Sequence, residues 1–316
     1  MTADLVSFIL RRLVTATLTV IGVSLLIFIL LQVAPGDPVT LMTAGHNVPK
    51  ETIEKIRIGL NLDKPLYVQY WLWFKGFLHG DFGTSFLKDV KVSKLIIERL
   101  PVSLQLVLVS GLLSLLLSIP TGIIAALKEG TVGDNILITL AIITASMPIF
   151  WVGMLFIMIF SIWLGWLPPI GMAGFFNIKS LILPCSALSF SYVGLLFRMV
   201  RANMWEELQK HYVEKARAMG LSNAKIIRRT FKNSLAPALT IAGFMIGSYI
   251  VFAVLVEYVF GIGGVGSLLI EATLTQDYPT VMGVTVFISI IFILSNFIVD
   301  ILYAVLDPRI RYTQRK

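Results

Sequence analysis

A single cysteine, Cys185, lies in an apolar run of this 316-residue sequence. That excludes an internal disulfide and any cysteine-based metal site. Three histidines, His46, His79 and His211, fall in expected loops and are widely separated, so spacing assembles no metal site from them. No Gly-x-x-x-x-Gly-Lys-Ser/Thr phosphate loop occurs, and neither a zincin helix nor a nucleophile elbow is present. Charged residues make up only 14% of the chain, against about 25% in a soluble domain. The first three long apolar runs carry no Asp, Glu, Lys, Arg or His at mid-depth. A proton- or sodium-coupled carrier is expected to have such groups, or broken helices at the membrane midplane.

What the chain has in quantity is apolar sequence: 57% hydrophobic residues and a mean hydropathy of +0.86. A bilayer crossing needs about 20 apolar residues. Six runs meet that length, at 13–34, 101–127, 135–164, 178–199, 237–260 and 279–306. The fold class is an all-α polytopic membrane protein with six transmembrane helices. The first run follows Arg11-Arg12 and exceeds the 7–15 residues of a signal core, so it reads as a retained span. Lys and Arg collect in cytoplasmic loops of membrane proteins. The loops 165–177 and 261–278 hold neither, whereas 198–236 holds nine Lys/Arg against Glu206, Glu207 and Glu214. Both termini and the basic loop are therefore expected in the cytoplasm. The net charge of +8 has the same cause and is not a nucleic-acid footprint, since no recognition motif accompanies it.

Residues 35–100 form the expected extracytoplasmic segment. Its nine Lys/Arg are set against seven carboxylates, and its length puts it beyond the loops whose charge sets orientation. Lys50 to Leu60 has helical spacing, with Ile53, Ile56 and Leu60 on one side. Tyr67 to Leu78 is an aromatic-rich amphipathic stretch suited to the bilayer surface, and Gly80-Asp81-Phe82-Gly83 is a turn. Pro120, Pro148 and Pro184 fall in or near spans, where proline kinks a helix and frees a carbonyl. No internal repeat divides the chain.

In the basic loop, Trp205 to Met219 reads as one helix, with Leu208, Tyr212, Ala216 and Met219 recurring at helical spacing. Gly220 breaks it at a left-handed position. Ser222 then caps a second short helix, Asn223 to Phe231, with Ile226, Ile227 and Phe231 on its apolar face. Such a pair makes either a rigid knob for a soluble partner or an amphipathic pair lying on anionic lipid.

Three further features stand in or beside the last two spans. Gly261-Ile262-Gly263-Gly264-Val265-Gly266 has the letters of a dinucleotide fingerprint but follows a membrane-length run rather than a strand, so it reads as a re-entrant turn before Leu268 to Thr275. Glu257 and Asp300 lie near span ends, within snorkelling reach of an interface. Gly243-x-x-x-Gly247 permits close helix packing. Pro148, Glu257 and Gly263 are the candidates for a pathway or gate.

The stretch Glu214-Lys215-Ala216-Arg217-Ala218-Met219-Gly220 resembles the Glu-Ala-Ala-x-x-x-Gly loop of bacterial ATP-binding-cassette importer permeases, with Lys215 in place of the first Ala. Arg11-Arg12-Leu13, Pro35-Gly36-Asp37-Pro38, Gly80-Asp81-Phe82-Gly83-Thr84-Ser85, Glu98-Arg99-Leu100-Pro101, Ala216-Arg217-Ala218-x-Gly220 and Asp307-Pro308-Arg309 together resemble the dipeptide/oligopeptide/nickel permeases, end to end. The resemblance implies a coupling loop, 200–236, in which Glu214, Ala216, Arg217, Ala218, Gly220 and Leu221 engage a cytoplasmic ATPase. It implies a second homologous permease, two ATPase subunits that hold ATP-Mg, an extracytoplasmic substrate-binding protein, and a prokaryotic inner membrane. This chain itself would carry no cofactor and no catalytic site. The organisation expected is 1–34 with the first span, 35–100 outside, 101–306 as the permease core and 307–316 as a cytoplasmic tail. Di- or oligopeptides are the expected cargo. Nickel or a metallophore, glutathione and oligosaccharide remain within the same machinery, and a self-contained secondary carrier or channel is the reading from another class.

Overall fold

The structure, a computed structural model, describes residues 2–33, 39, 49–59, 61–169 and 178–306. Pro35-Gly36-Asp37-Pro38, His46, Leu60, most of the 165–177 loop and Asp307-Pro308-Arg309 lie outside the described residues.

The described chain is all-α, with one isolated antiparallel bridge between Thr84 and Lys91. In order, its helices are α1 Thr2–Val33, α2 Lys50–Gly59, α3 Leu66–Leu78, α4 Val92–Leu127, α5 Val132–Ser146, α6 Ile149–Phe156, α7 Ile178–Leu208, α8 His211–Ala218, α9 Asn223–Val259, α10 Val265–Leu274 and α11 Tyr278–Leu306. A π-helical stretch, Ile157–Trp163, continues α6. Among the described residues four helices are long and apolar enough to cross a membrane, or five if the bent α5–α6 pair is one span. The fifth expected crossing, 237–260, falls within α9, where the side chains of residues 235–242 and 244 lie outside the described set.

Several expected boundaries move. Pro101 was expected to open a span but lies inside α4. The helix runs on through the missing hydrogen bond because Val92, Leu95 and Ile96, before the proline, bury against Leu268 and Val284. The run 135–164 is not one straight helix. It bends by 105° between α5 and α6, where Pro148 has an extended backbone that no α-helix accommodates. The Met147 carbonyl freed there accepts a hydrogen bond from Ser191 Oγ at 3.4 Å.

Lipid supplies no hydrophobic force between helices, so small residues that let backbones approach do much of the packing. Ser110, Ser114, Ser118 and Gly122 recur every four residues on α4 and are all buried. Ser118 Oγ donates to the Val193 carbonyl of α7 at 3.0 Å, Ser114 bonds the Tyr249 hydroxyl of α9, and a Cβ on Gly122 would lie 2.8 Å from Val200 Cγ1. The Gly243 and Gly247 pair serves the packing role its spacing suggests. A Cβ on Gly243 would lie 2.7 Å from Val299 Cγ1, and one on Gly247 3.1 Å from Phe292. Asp300 does not snorkel alone: Arg12 Nη2 sits 2.8 Å from its carboxylate.

Helix α3 ties the first helix to the last through its aromatic face. Phe28 meets Tyr70 at 5.5 Å, Tyr70 meets Phe74 at 5.7 Å, Phe77 meets Phe82 at 5.5 Å and Phe82 meets Phe287 at 6.4 Å. Tyr67 and Trp71 remain exposed.

The tightest crossing is between α5 and α7. A Cβ on Gly194 would run into Thr144 Oγ1 and the Ala141 carbonyl, and the backbone atom cannot swing away. Gly194→Ala is expected to destabilise the protein by about 1–3 kcal/mol, read as a lowered melting temperature in detergent. Gly111→Ala, with nothing within 4 Å of the added carbon, is expected to be neutral or slightly stabilising. Equal melting temperatures for the two variants would refute the close crossing.

Candidate functional site

The basic loop folds into an elbow, but not as two short helices. Helix α7 carries span four on to Leu208, and a tight turn at Gln209 and Lys210 separates it from α8. Lys210 is extended there. The Glu207 carboxylate pairs with its ammonium, holding Lys210 above the usual lysine pKa, and also accepts from the Tyr212 hydroxyl at 2.9 Å. The second expected helix, Asn223 to Phe231, is the first part of α9 and continues to Val259. Ser222 stands at its N-cap through its backbone, without a side-chain cap bond.

Between the two helices Gly220 has φ +73°. The Leu221 N–H donates to the Ala216 carbonyl at 3.1 Å and the Gly220 N–H to the Arg217 carbonyl at 2.9 Å. This pair of bonds, with the left-handed glycine at C′, is a Schellman ending. Its apolar partner contact is present too, since Leu221 packs on Val213, Ala216 and Ile226.

The site residues expected from the loop motif therefore divide into two sets. Ala216 is buried and Leu221 half-buried. Glu214, Arg217, Ala218 and Gly220 are exposed together with Lys215. Met219, expected on the apolar face, is 69% exposed instead. It stands at the C-cap, where the helical spacing that placed it inward has already ended. The resulting knob presents Glu214, Lys215, Arg217, Ala218 and Met219 around one glycine.

At the other candidate site, Glu257 is 1% exposed and does not snorkel. Its carboxylate turns inward under the glycine-rich loop and caps α10. Oε2 accepts from the Gly266 N–H at 2.7 Å and the Ser267 N–H at 3.1 Å. The Val265 N–H donates to Ser103 Oγ of α4 at 2.8 Å, and the Gly264 N–H to the Ile262 carbonyl at 2.8 Å. The four N–H groups at the start of α10, from the N-cap Gly264 to Ser267, which have no partner within the helix, are thereby all satisfied. Gly264 and Gly266 are required by this close approach. A Cβ on the first would overlap the Glu257 carboxylate and one on the second the Val254 backbone. The helix starts at Val265, inside the glycine run and earlier than the expected Leu268, because that cap draws it forward. Gly263 has open space around it. Pro148 stands apart from the cap, but α6 packs on the end of α9, where a Cβ on Gly153 would lie 3.1 Å from Phe260.

Two residues missed in the sequence complete this end. Asp277 is buried and gathers Ser85 Oγ, the Phe86 N–H at 3.1 Å and Thr280 Oγ1 at 2.8 Å. Arg99 reaches Glu271 at 3.0 Å and Ser267 Oγ at 3.4 Å. The turn after Gly80 is thus latched to the C-terminal end of α10, and Arg99 of α4 spans from its first turn to Glu271. A carboxylate just before the proline-led start of a span was the available signal, but it reads equally as an ordinary helix cap.

Known proteins match the chain along nearly its whole length. The description "Binding-protein-dependent transport system inner membrane component" matches residues 118–312, and the N-terminal region of such membrane components matches residues 5–107. A putative peptide transport system permease protein of Brucella abortus is 37% identical over 312 residues, spanning 97% of this chain and 99% of its own length. The oligopeptide transport system permease protein AppB of Bacillus subtilis is 36% identical over 315 residues, with the same shares of the two chains. The dipeptide transport system permease protein DppB of Escherichia coli is 33% identical over 337 residues, spanning 98% of this chain and 99% of its own. With both matches in register along its length, this chain belongs to the family of inner membrane components of binding-protein-dependent transport systems.

Proposed function

We propose that this chain is the permease subunit of an ATP-driven, binding-protein-dependent importer of di- or oligopeptides. It lines half of the pathway, and a second homologous permease lines the other half. Two cytoplasmic ATPase subunits bind and hydrolyse ATP-Mg, and an extracytoplasmic binding protein delivers the cargo. Transport proceeds by alternating access. The core, 101–306, holds the pathway; 35–100 faces outward and helps dock the binding protein; both termini and the loop 200–236 are cytoplasmic. The peptide cargo rests on the names carried by the full-length relatives.

The observation that carries this reading is the elbow. A lipid-lying amphipathic pair turns its apolar face outward into the leaflet. Here Val213, Ala216 and Ile226 turn inward, and the outward face is Glu214, Lys215, Arg217 and Met219. A closed knob with mixed charges around one flexible thioether suits a groove on a protein, where charge-assisted bonds fix orientation and methionine adapts to the slot. In this reading Gly220 sets the shape of the knob, and Glu257 holds α10 as a fixed wall at the outer mouth.

Two outcomes are expected. Glu214→Lys combined with Met219→Asp should weaken retention of the ATPase subunits about thirtyfold, measured by co-purification of the complete complex in detergent. Undiminished retention of the ATPase subunits by the double variant would overturn the reading of the elbow as their docking site. Glu257→Ala strips the acceptor from two buried N–H groups, a cost of about 1–3 kcal/mol for each, and should lower the melting temperature. Glu257→Gln keeps an acceptor oxygen and should lose less. A larger loss for Gln than for Ala would show that the cap is not what holds α10.

A further inference from the structure

We propose that Asp134 and Arg201 form a strut that carries movement of the elbow sideways into the α4–α5 corner, and so sets how tightly ATP hydrolysis follows events at the binding protein. The proposal rests on the importer reading above.

The geometry begins in the last three turns of α7. Arg201 Nε and Nη2 donate to the two oxygens of Asp134, each at 2.6 Å, a two-pronged fork. The Asp134 side chain is 1% exposed and that of Arg201 21%. The same carboxylate accepts from the Gly130 N–H at 3.0 Å, and the Asp134 N–H is capped by Thr131 Oγ1 at 3.3 Å. Gly130 takes a left-handed φ of +73° to present that N–H. Four residues beyond Arg201, on the same face of α7, Trp205 Nε1 donates to Glu129. Two side chains of one helix face thus grip the whole α4–α5 turn.

Other groups of the same turns hold the elbow. Met204 is fully buried and accepts from Ser234 Oγ of α9 at 3.7 Å. Glu207 bonds Tyr212 of α8, whose hydroxyl accepts from Asn233 of α9 at 3.2 Å. The end of α7, the elbow and the start of α9 therefore form one hydrogen-bonded block. A displacement of the elbow moves α7, and through the fork it moves the α4–α5 turn. The close crossing at Gly194 and Ala141 lies about two turns deeper and serves as the fulcrum.

An apolar contact at this place would hold the helices together at less desolvation cost, since a buried ion pair is often no more stabilising than a well-packed apolar one. What the fork adds is direction. Two parallel bonds between planar groups resist sliding and twisting as well as separation, whereas apolar side chains slip past one another. That property is useful in a part that transmits displacement and superfluous in one that only packs.

The test uses the complete transporter in proteoliposomes: this chain, its partner permease, the ATPases and the binding protein. The readout is the factor by which binding protein stimulates ATP hydrolysis, measured per assembled complex. Asp134→Asn and Arg201→Lys are both expected to lower that factor about fivefold. Arg201→Lys keeps the charge and loses only the fork, so it decides the question if Asp134→Asn fails to assemble. A lowered melting temperature with a wild-type stimulation factor in assembled Arg201→Lys complexes would reduce the pair to a staple and overturn the proposal. Failure of the wild-type chain to assemble with any ATPase would instead overturn the importer reading, before any strut variant is made.

Discussion

A backbone amide in hydrocarbon has no water to turn to, and every break in a helix exposes several. The architecture depends on how those exposed groups are met. At the α5–α6 bend, the Met147 carbonyl just before Pro148 is met by Ser191 from the neighbouring α7. At the start of α10, four N–H groups are met by Ser103, Glu257 and the Ile262 carbonyl. At the elbow, the last carbonyls of α8 are met by Gly220 and Leu221. Each irregularity is affordable only because another element is already in place, so the bends fix the packing of the helices as much as the packing permits the bends.

The same constraint separates what the sequence reveals from what it hides. Long apolar runs announce their helices, and the aromatic stretch after Tyr67 and the glycine break at Gly220 announce theirs, because each is decided by local composition. The Asn223 to Phe231 helix looked short because charge ended the apolar pattern there, yet a helix does not stop where its surroundings change from lipid to water. Glu257 read as a snorkelling carboxylate because its partners, Gly266 and Ser267, are backbone groups that only the fold brings beneath it. Asp134 and Arg201 are 67 residues apart, and nothing in local spacing joins them. Ser110, Ser114, Ser118 and Gly122 recur every four residues, but inside so apolar a run their spacing does not say which helix they meet.

Polar groups buried at the two ends of the bundle serve different ends. Around α10, Glu257, Asp277 and Arg99 tie one short helix to α4, α9 and the turn after Gly80, which leaves it several independent anchors. Around α8 the bonds pass from element to element instead: elbow to Glu207 and Asn233, then Arg201 and Trp205 of α7 to the α4–α5 turn. Anchors in parallel make a wall, because losing one leaves the others. Links from one element to the next make a lever, because each element must move with the last. In the importer proposed above, the lever would lie at the driven, elbow end and the wall at the opposite mouth.

The division within the loop motif follows from the same reasoning. If Glu214, Ala216, Gly220 and Leu221 all touched the partner, each would tolerate change only as the partner allowed. Instead Ala216 and Leu221 close the inner face, Gly220 sets the turn, and Glu214 with Arg217 and Met219 is displayed. Ala216 is buried between Val213 and Ile226 at a helix–helix contact, and the glycine at 220 takes a φ that an L side chain rarely adopts. Both constraints belong to the shape of the knob and hold whatever binds it. In the importer proposed above, recognition falls to the exposed positions, where a substitution would alter which partner fits while leaving the fold of the elbow intact.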